Sequence, residues 1–229
     1  MLTARSNDRL RHERDGAQLH RAAANAATLE GIAEALRRLP MARAGVRLYG
    51  VPTLSSFLAA PSVLGTVAAA TVGRDCRPVR AILFDKTPDA NWALGWRQDR
   101  VIAVAERRDV EGFGPWTTKD GAPHVAPPFE VSSRMLALRL HLDDTPADNA
   151  PLLVAPGSHR LGRIAEPDVP GVVQRCGTVA CTAAAGDVWL YATPILHASE
   201  AAARPLRRRV LQVDYASDPL PGGLRWLGV

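Results

Sequence analysis

From about residue 76 onward the chain is cut into short apolar or alternating runs, and no long helix can be built from them. The runs at 79–84, 100–105, 135–142, 152–154, 178–182, 188–192 and 209–215 are separated by clusters of Pro, Gly, Asp and Asn, the pattern of strands joined by turns. The text before them reads differently. Leu19, Ala23, Ala26, Leu29, Ile32, Ala35 and Leu36 recur mostly at three- and four-residue steps, predicting a helix over 18–39 opened by Asp15-Gly16 and closed by Pro40. A second helical region is expected over 54–72, broken near Pro61. Two helical segments followed by many short strands predict a mainly β fold, a sheet sandwich or barrel braced by N-terminal helices. With 229 residues and 47% hydrophobic content, one domain suffices: helical support over 15–72 and a strand core over 76–217.

Composition removes several function classes. Lys and Arg exceed Asp and Glu by 28 to 23, but both signs are scattered along the chain, so the net charge of +5 is no nucleic-acid footprint. Cys76, Cys176 and Cys181 are an odd number without a C-x-x-C pair, which argues against a disulfide framework and a zinc site and favours a reducing cytoplasm. The first fifteen residues are polar and charged, unlike an export signal. The run 57–72 is alanine-rich and interrupted by Pro61 and Gly65, too short and too weakly apolar to cross a bilayer. No feature of the chain fixes an oligomeric state.

Chemistry concentrates in Trp96-Arg97-Gln98-Asp99 and in His197. Taken alone, Arg97 and Asp99 read as an ion pair across alternate residues of a strand end, and a histidine after Ile195-Leu196 reads as a packed residue. The surrounding text shifts that reading. The run 82–99 (Ile-Leu-Phe-Asp-Lys-Thr-Pro-Asp-Ala-Asn-Trp-Ala-Leu-Gly-Trp-Arg-Gln-Asp), the segments 121–128 and 135–144, Pro156-Gly157-Ser158-His159, Gly186-Asp187, His197-Ala198-Ser199 and the segment 208–216 stand in that order. Together they resemble the phytanoyl-CoA dioxygenase family over roughly residues 45 to 217.

That resemblance implies a double-stranded β-helix, or jelly roll, and an Fe(II)- and 2-oxoglutarate-dependent oxygenase acting on a small molecule. Such enzymes hold the metal with two imidazoles and a carboxylate on one face. The implied ligands are Asp99 and His197, with Arg97 standing where the family has its first histidine. A guanidinium stays protonated and offers only donors, so Arg97 cannot coordinate iron. Two outcomes compete: a two-ligand site that retains iron weakly, or a metal-free site in which the Arg97 guanidinium bonds Asp99. A permanent cation beside a divalent ion costs on the order of several kcal/mol at a protein-like dielectric, so metal binding is expected to be weakened.

The resemblance also implies that Arg208, eleven residues after His197, anchors the distal carboxylate of 2-oxoglutarate with help from the Ser199 hydroxyl. Arg209 would point to the opposite face of the same strand, and a one-residue register change would exchange the two. Lys86 and Asn91 are further expected co-substrate contacts. Trp96, Gln98, Trp116 and His124 are assigned to the substrate pocket or its lid, the lid being a Pro- and Gly-punctuated insertion at about 106–130. Of the other histidines, His12 and His20 are expected to be solvated, His141 packed, and His159 a support for its loop.

Overall fold

The structure is a computed structural model that describes residues 7–37 and 45–229. After a single 3-10 turn the chain forms α1 (His12–Asp15), β1 (Ala17–His20), α2 (Ala26–Leu36), β2 (Val46–Leu48), α3 (Pro52–Leu58) and α4 (Val63–Val72). Then come β3 (Arg77–Lys86), β4 (Leu94–Arg97), β5 (Ile102–Ala103), β6 (Trp116–Lys119), β7 (Ala122–Val125), α5 (Phe129–Ser133), β8 (Leu136–His141) and β9 (Leu152–Val154). The last elements are α6 (Val169–Cys176), β10 (Val179–Cys181), β11 (Val188–Ala192), β12 (His197–Ser199) and β13 (Arg208–Ala216).

The strands make a six-stranded sheet in the order β1-β11-β8-β13-β3-β2 and a four-stranded sheet in the order β10-β9-β12-β4. Every pairing within them is antiparallel. The fold is a jelly roll, as expected. A third, small sheet, β5-β7-β6, sits at the edge.

The period-two alternation of the long strands explains the layering. Leu136, Leu138 and Leu140 of β8, Leu211 and Val213 of β13, and Ala81 and Leu83 of β3 form one buried cluster with Ile32, Leu54, Leu58 and Leu64 of the helices. The intervening residues face the other sheet. There Trp189 and Tyr191 of β11 pack with Leu152, Val154, Val179 and Cys181, closing one end of the interior. At the other end the inward positions are polar or charged: Arg80, Arg139, Arg208 and Gln212 all reach a common cavity. No single described helix is long and apolar enough to cross a membrane; α3 and α4 together are, but with a 54° bend between them, and Leu54, Leu58, Leu64 and Ala68 are buried in the helix-facing core.

The expected helix over 18–39 is corrected at its start. Asp15-Gly16 ends a helix: Gly16, at φ +75°, caps α1 from the left-handed region, and residues 17–20 form the edge strand β1 on β11. The N-cap of the following helix is Asn25, whose side chain accepts a hydrogen bond from the Thr28 amide. Pro40 lies outside the described residues. The break at Pro61 is found where expected, with Ser62 capping α4. The supposed irregular lid contains a hairpin, β6 to β7, turned by Asp120-Gly121 with both residues at positive φ.

Gly186, in the turn before β11, sits at φ +90°, where a Cβ would lie 2.5 Å from the Ala24 carbonyl oxygen. Gly186→Ala is expected to cost at least about 2 kcal/mol through left-handed strain and backbone displacement. That corresponds to a fall of roughly 4–8 °C in a thermal melt; an unchanged melting temperature would contradict the assignment.

Candidate functional site

A cavity of about 1270 Å³ opens between the two large sheets. Its walls come from β3, β8 and β13 on one side and from β4, β9 and β12 on the other, with α6 along the rim through Val169, Pro170, Val173 and Gln174. Arg97, Asp99, His197, Ser199 and Arg208 all line it.

Strand pairing brings position 97 to His197. The two residues are direct cross-strand partners between β4 and β12, so their side chains leave the same face of the sheet. Asp99 follows two residues later, and its Oδ1 lies 3.9 Å from His197 Nε2. The tautomer follows from the other ring nitrogen: His197 Nδ1 is 3.0 Å from the Ile195 carbonyl, which only accepts, so Nδ1 carries the proton. Burial pushes the His197 pKa down, against the pull of Asp99.

Arg97 does not pair with Asp99, unlike in the metal-free arrangement, one of the two outcomes left open by the sequence. Its side chain is exposed at the cavity wall. The partner of Asp99 is Arg80 of β3, with Nη2 3.5 Å from Oδ2. Arg80 is held in turn by Asp214, its direct cross-strand partner on β13, through Nε to Oδ2 at 2.5 Å. Gln212 Nε2 donates to Asp214 Oδ1 at 3.0 Å, and Arg139 Nε donates to Gln212 Oε1 at 2.9 Å. A continuous polar chain thus runs from Arg139 through Gln212, Asp214 and Arg80 to Asp99. Burial opposes ionisation of Asp99, but His197, Arg80, Arg139 and Arg97 together hold its carboxyl below the usual range.

At the opposite end of the cavity, Arg208 is 4% exposed; its Nη1 donates to the Ala150 carbonyl at 2.9 Å, while its Nε is buried without a hydrogen-bond partner. Arg209 turns the other way and grips Asp143 through Nε and Nη2 at 2.8 and 2.6 Å. Burial and the neighbouring Arg139 charge push the Arg208 pKa down to about 10, the signature of a cation short of an anion.

Lys86 and Asn91, expected at the co-substrate, are spent on the protein. Lys86 Nζ donates to the Trp92 and Glu200 carbonyls, both at 2.7 Å, and to Ser199 Oγ at 3.2 Å; burial and Arg208 lower its pKa to about 8. Asn91 exchanges two hydrogen bonds with the Ala202 backbone. Gln98 reaches the cavity wall, yet its amide is occupied by the Gly162 and Pro194 carbonyls and the Ile164 amide, tying β4 to the following loops. Trp96 lines the cavity.

Trp116 packs in a separate apolar cluster under the small sheet, and His124 is fully buried in β7 with Nδ1 on the Ala122 carbonyl; neither lines the cavity. From the expected lid only Lys119 does, presented by the Asp-Gly hairpin whose turn is tied to Arg47 by a 2.7 Å ion pair to Asp120. His141 is buried on Thr145 Oγ1 at 2.9 Å, and His159 supports its loop through the Glu13 carbonyl. His12 and His20 are half-buried rather than solvated, and burial lowers both pKa values, that of His12 to about 4.

Among the described residues no group of three His, Cys, Asp or Glu side chains converges, so the residues present do not make up a three-ligand iron site. Sequence reasoning missed Arg80, Arg139 and Gln212. Each sits at an inward position within an apolar stretch of its strand, and a polar or charged side chain in that place is the signal that marks it.

The family model described as Phytanoyl-CoA dioxygenase (PhyH) matches residues 12–210. No curated protein sequence matches the chain. Among solved structures, EctD from S. alaskensis, solved with bound Fe, superposes with a TM-score of 0.66 at 20% identity, covering 95% of this chain and 78% of that one. The epimerase SnoN from nogalamycin biosynthesis, solved with Fe3+, alpha ketoglutarate and nogalamycin RO, gives 0.64 at 18% identity over 93% and 88% of the two chains. HygX from Streptomyces hygroscopicus, solved with nickel, 2-oxoglutarate and hygromycin B, gives 0.60 at 16% over 90% and 84%. At these identities the likeness speaks for the fold.

His141 makes stability pH-dependent. Burial lowers its pKa to about 3, so the unfolded chain binds a proton that the folded one refuses. Stability is therefore fully present above the unfolded value of about 6.5 and falls below it, by about 1.4 kcal/mol per pH unit down to the folded value. In denaturant titrations between pH 4 and 6.5, His141→Gln is expected to flatten the slope by that amount; parallel slopes would contradict it.

Proposed function

The chain belongs to the phytanoyl-CoA dioxygenase family, and from that membership we propose that it is an oxygenase of the Fe(II)- and 2-oxoglutarate-dependent type acting on a small molecule, with its metal binding weakened at position 97. The observation that carries this reading is the convergence of Asp99 and His197 at one end of a deep cavity that has Arg208, with no carboxylate partner and a buried unpartnered Nε, at the other.

In this reading Arg208 takes the distal carboxylate of 2-oxoglutarate, since a guanidinium fork matches a carboxylate with two parallel donors. Ser199 adds a hydroxyl at the same end, and Lys86 holds that hydroxyl in place while contributing its charge. Asp99 Oδ1 and His197 Nε2 would be the protein's two metal contacts. Trp96 and Leu94 of β4 and Val169 and Val173 of α6 give the outer cavity its apolar wall and keep water from the buried end. A cytoplasmic setting suits the three unpaired cysteines.

A second reading is a metal-free ligand-binding member of the same family. It is favoured by Arg80, which already neutralises the carboxylate that iron would need.

Succinate formation from 2-oxoglutarate under air, with iron content measured on the same samples, separates the readings. Native protein is expected to hold sub-stoichiometric iron and turn over slowly. Arg97→His, which places an imidazole directly across from His197, should raise both by at least about tenfold. Arg208→Gln in that background should raise the KM for 2-oxoglutarate by about tenfold or more. Native turnover equal to that of the histidine variant would overturn the impaired-site account, and absence of both iron and turnover in the variant would favour the metal-free reading.

A further inference from the structure

The charges inside the barrel do not balance. Arg80, Arg139 and Arg208 line the cavity with Arg47, Arg97, Arg100 and Lys119, against Asp99 and Glu166, and Lys86 and Asp214 are buried. Arg80 bridges Asp99 and Asp214, and Lys86, Arg139 and Arg208 have no carboxylate within ion-pair distance among the described residues. Lys86 at least spends its three donors on two carbonyls and a hydroxyl. Arg139 and Arg208 do not. Arg139 gives only its Nε to Gln212 and otherwise lies against the Phe84 and Tyr191 rings, 5.1 and 6.0 Å away. Arg208 has its single bond to Ala150 and a buried, unpartnered Nε.

Uncompensated buried charge is costly, and a fold that keeps two such guanidiniums on one cavity is built to be completed by an anion. Two guanidiniums without a carboxylate partner suit the two ends of a dicarboxylate. A divalent metal would add two more positive charges to a wall that already carries unpaired cations.

We propose that the cavity binds a five-carbon dicarboxylate without any metal ion, Arg208 taking one carboxylate and Arg139 the other. The inference rests on the reading of Arg208 as the distal anchor and adds Arg139 as a binding residue for the inner end. The 2-keto group then contributes little to affinity, because no metal is there to chelate it.

The test is calorimetric titration of EDTA-stripped protein with 2-oxoglutarate, with glutarate (the same dianion without the keto group) and with the monoanion butyrate, repeated with Mn(II) in excess. Both dicarboxylates should bind the stripped protein with dissociation constants within about threefold of each other, and Mn(II) should tighten neither by more than that. Butyrate should bind at least about tenfold more weakly, the loss of one charged fork. Arg139→Gln should weaken glutarate at least about tenfold and Arg139→Lys, which keeps the charge but not the fork, by less. Binding of 2-oxoglutarate only with Mn(II) would overturn the inference and leave the oxygenase reading standing. No binding under either condition would overturn both. If Arg139→Gln melts like the native chain and binds glutarate equally well, Arg139 is not the second contact. Should that variant not fold, the metal dependence of the native protein decides alone.

Discussion

Arg80 is the interaction on which the interior depends. One guanidinium, itself nearly buried, spans Asp214 on the neighbouring strand and Asp99 at the end of the facing sheet. Without it the barrel would hold two buried carboxylates side by side, and one of them would have to take up a proton. With it, β3, β13 and the segment after β4 are tied together across the cavity, and the Asp99 carboxyl is held below its usual range. The same contact would add to the cost of holding a divalent ion at Asp99, on top of the ligand missing at position 97. A carboxylate already satisfied by a guanidinium gains less from a divalent ion, and the ion must share its surroundings with that cation.

The rest of the site follows from strand alternation. In β3, β8, β11 and β13 one face is given to leucine, valine and alanine against the helices, which fixes the register of each strand and leaves the other face free to carry Arg80, Arg139, Gln212 and Arg208. A slip of one residue in β13 would exchange Arg208 with Arg209 and turn the anchor out toward Asp143. The apolar face therefore specifies the polar one. That explains how so charged an interior can be held without rearranging into solvent.

Much of this was legible in the sequence. The runs at 152–154 and 188–192 coincide with β9 and β11, and the break at Pro61 falls between α3 and α4, because periodicity and Pro act locally. Asp15-Gly16 misled, since the same dipeptide can open or close a helix, and only the pairing of β1 with β11 decides which. The Asp120-Gly121 hairpin and α6, which starts at Val169-Pro170-Gly171, were hidden by Gly and Pro that read as loop. At the site, the positions of Asp99, His197 and Arg208 could be read from spacing and resemblance. Arg80 as the partner of Asp99 could not, because the contact joins residues whose distance depends on the closure of the whole barrel. Lys86 and Asn91 lie beside the expected co-substrate region, but only the folded chain shows that their donors are already spent.

On the proposed reading, the ligand missing at position 97 is the main reason that metal binding would be weak. The most direct measurement is the dissociation constant of Mn(II), read from the electron paramagnetic resonance signal of the free ion, for native protein and Arg97→His with 2-oxoglutarate present. The account predicts that the variant binds the ion at least about tenfold more tightly. Equal affinity in the two proteins would mean that Arg80 on Asp99, or a ligand set other than Asp99, His197 and position 97, governs the site.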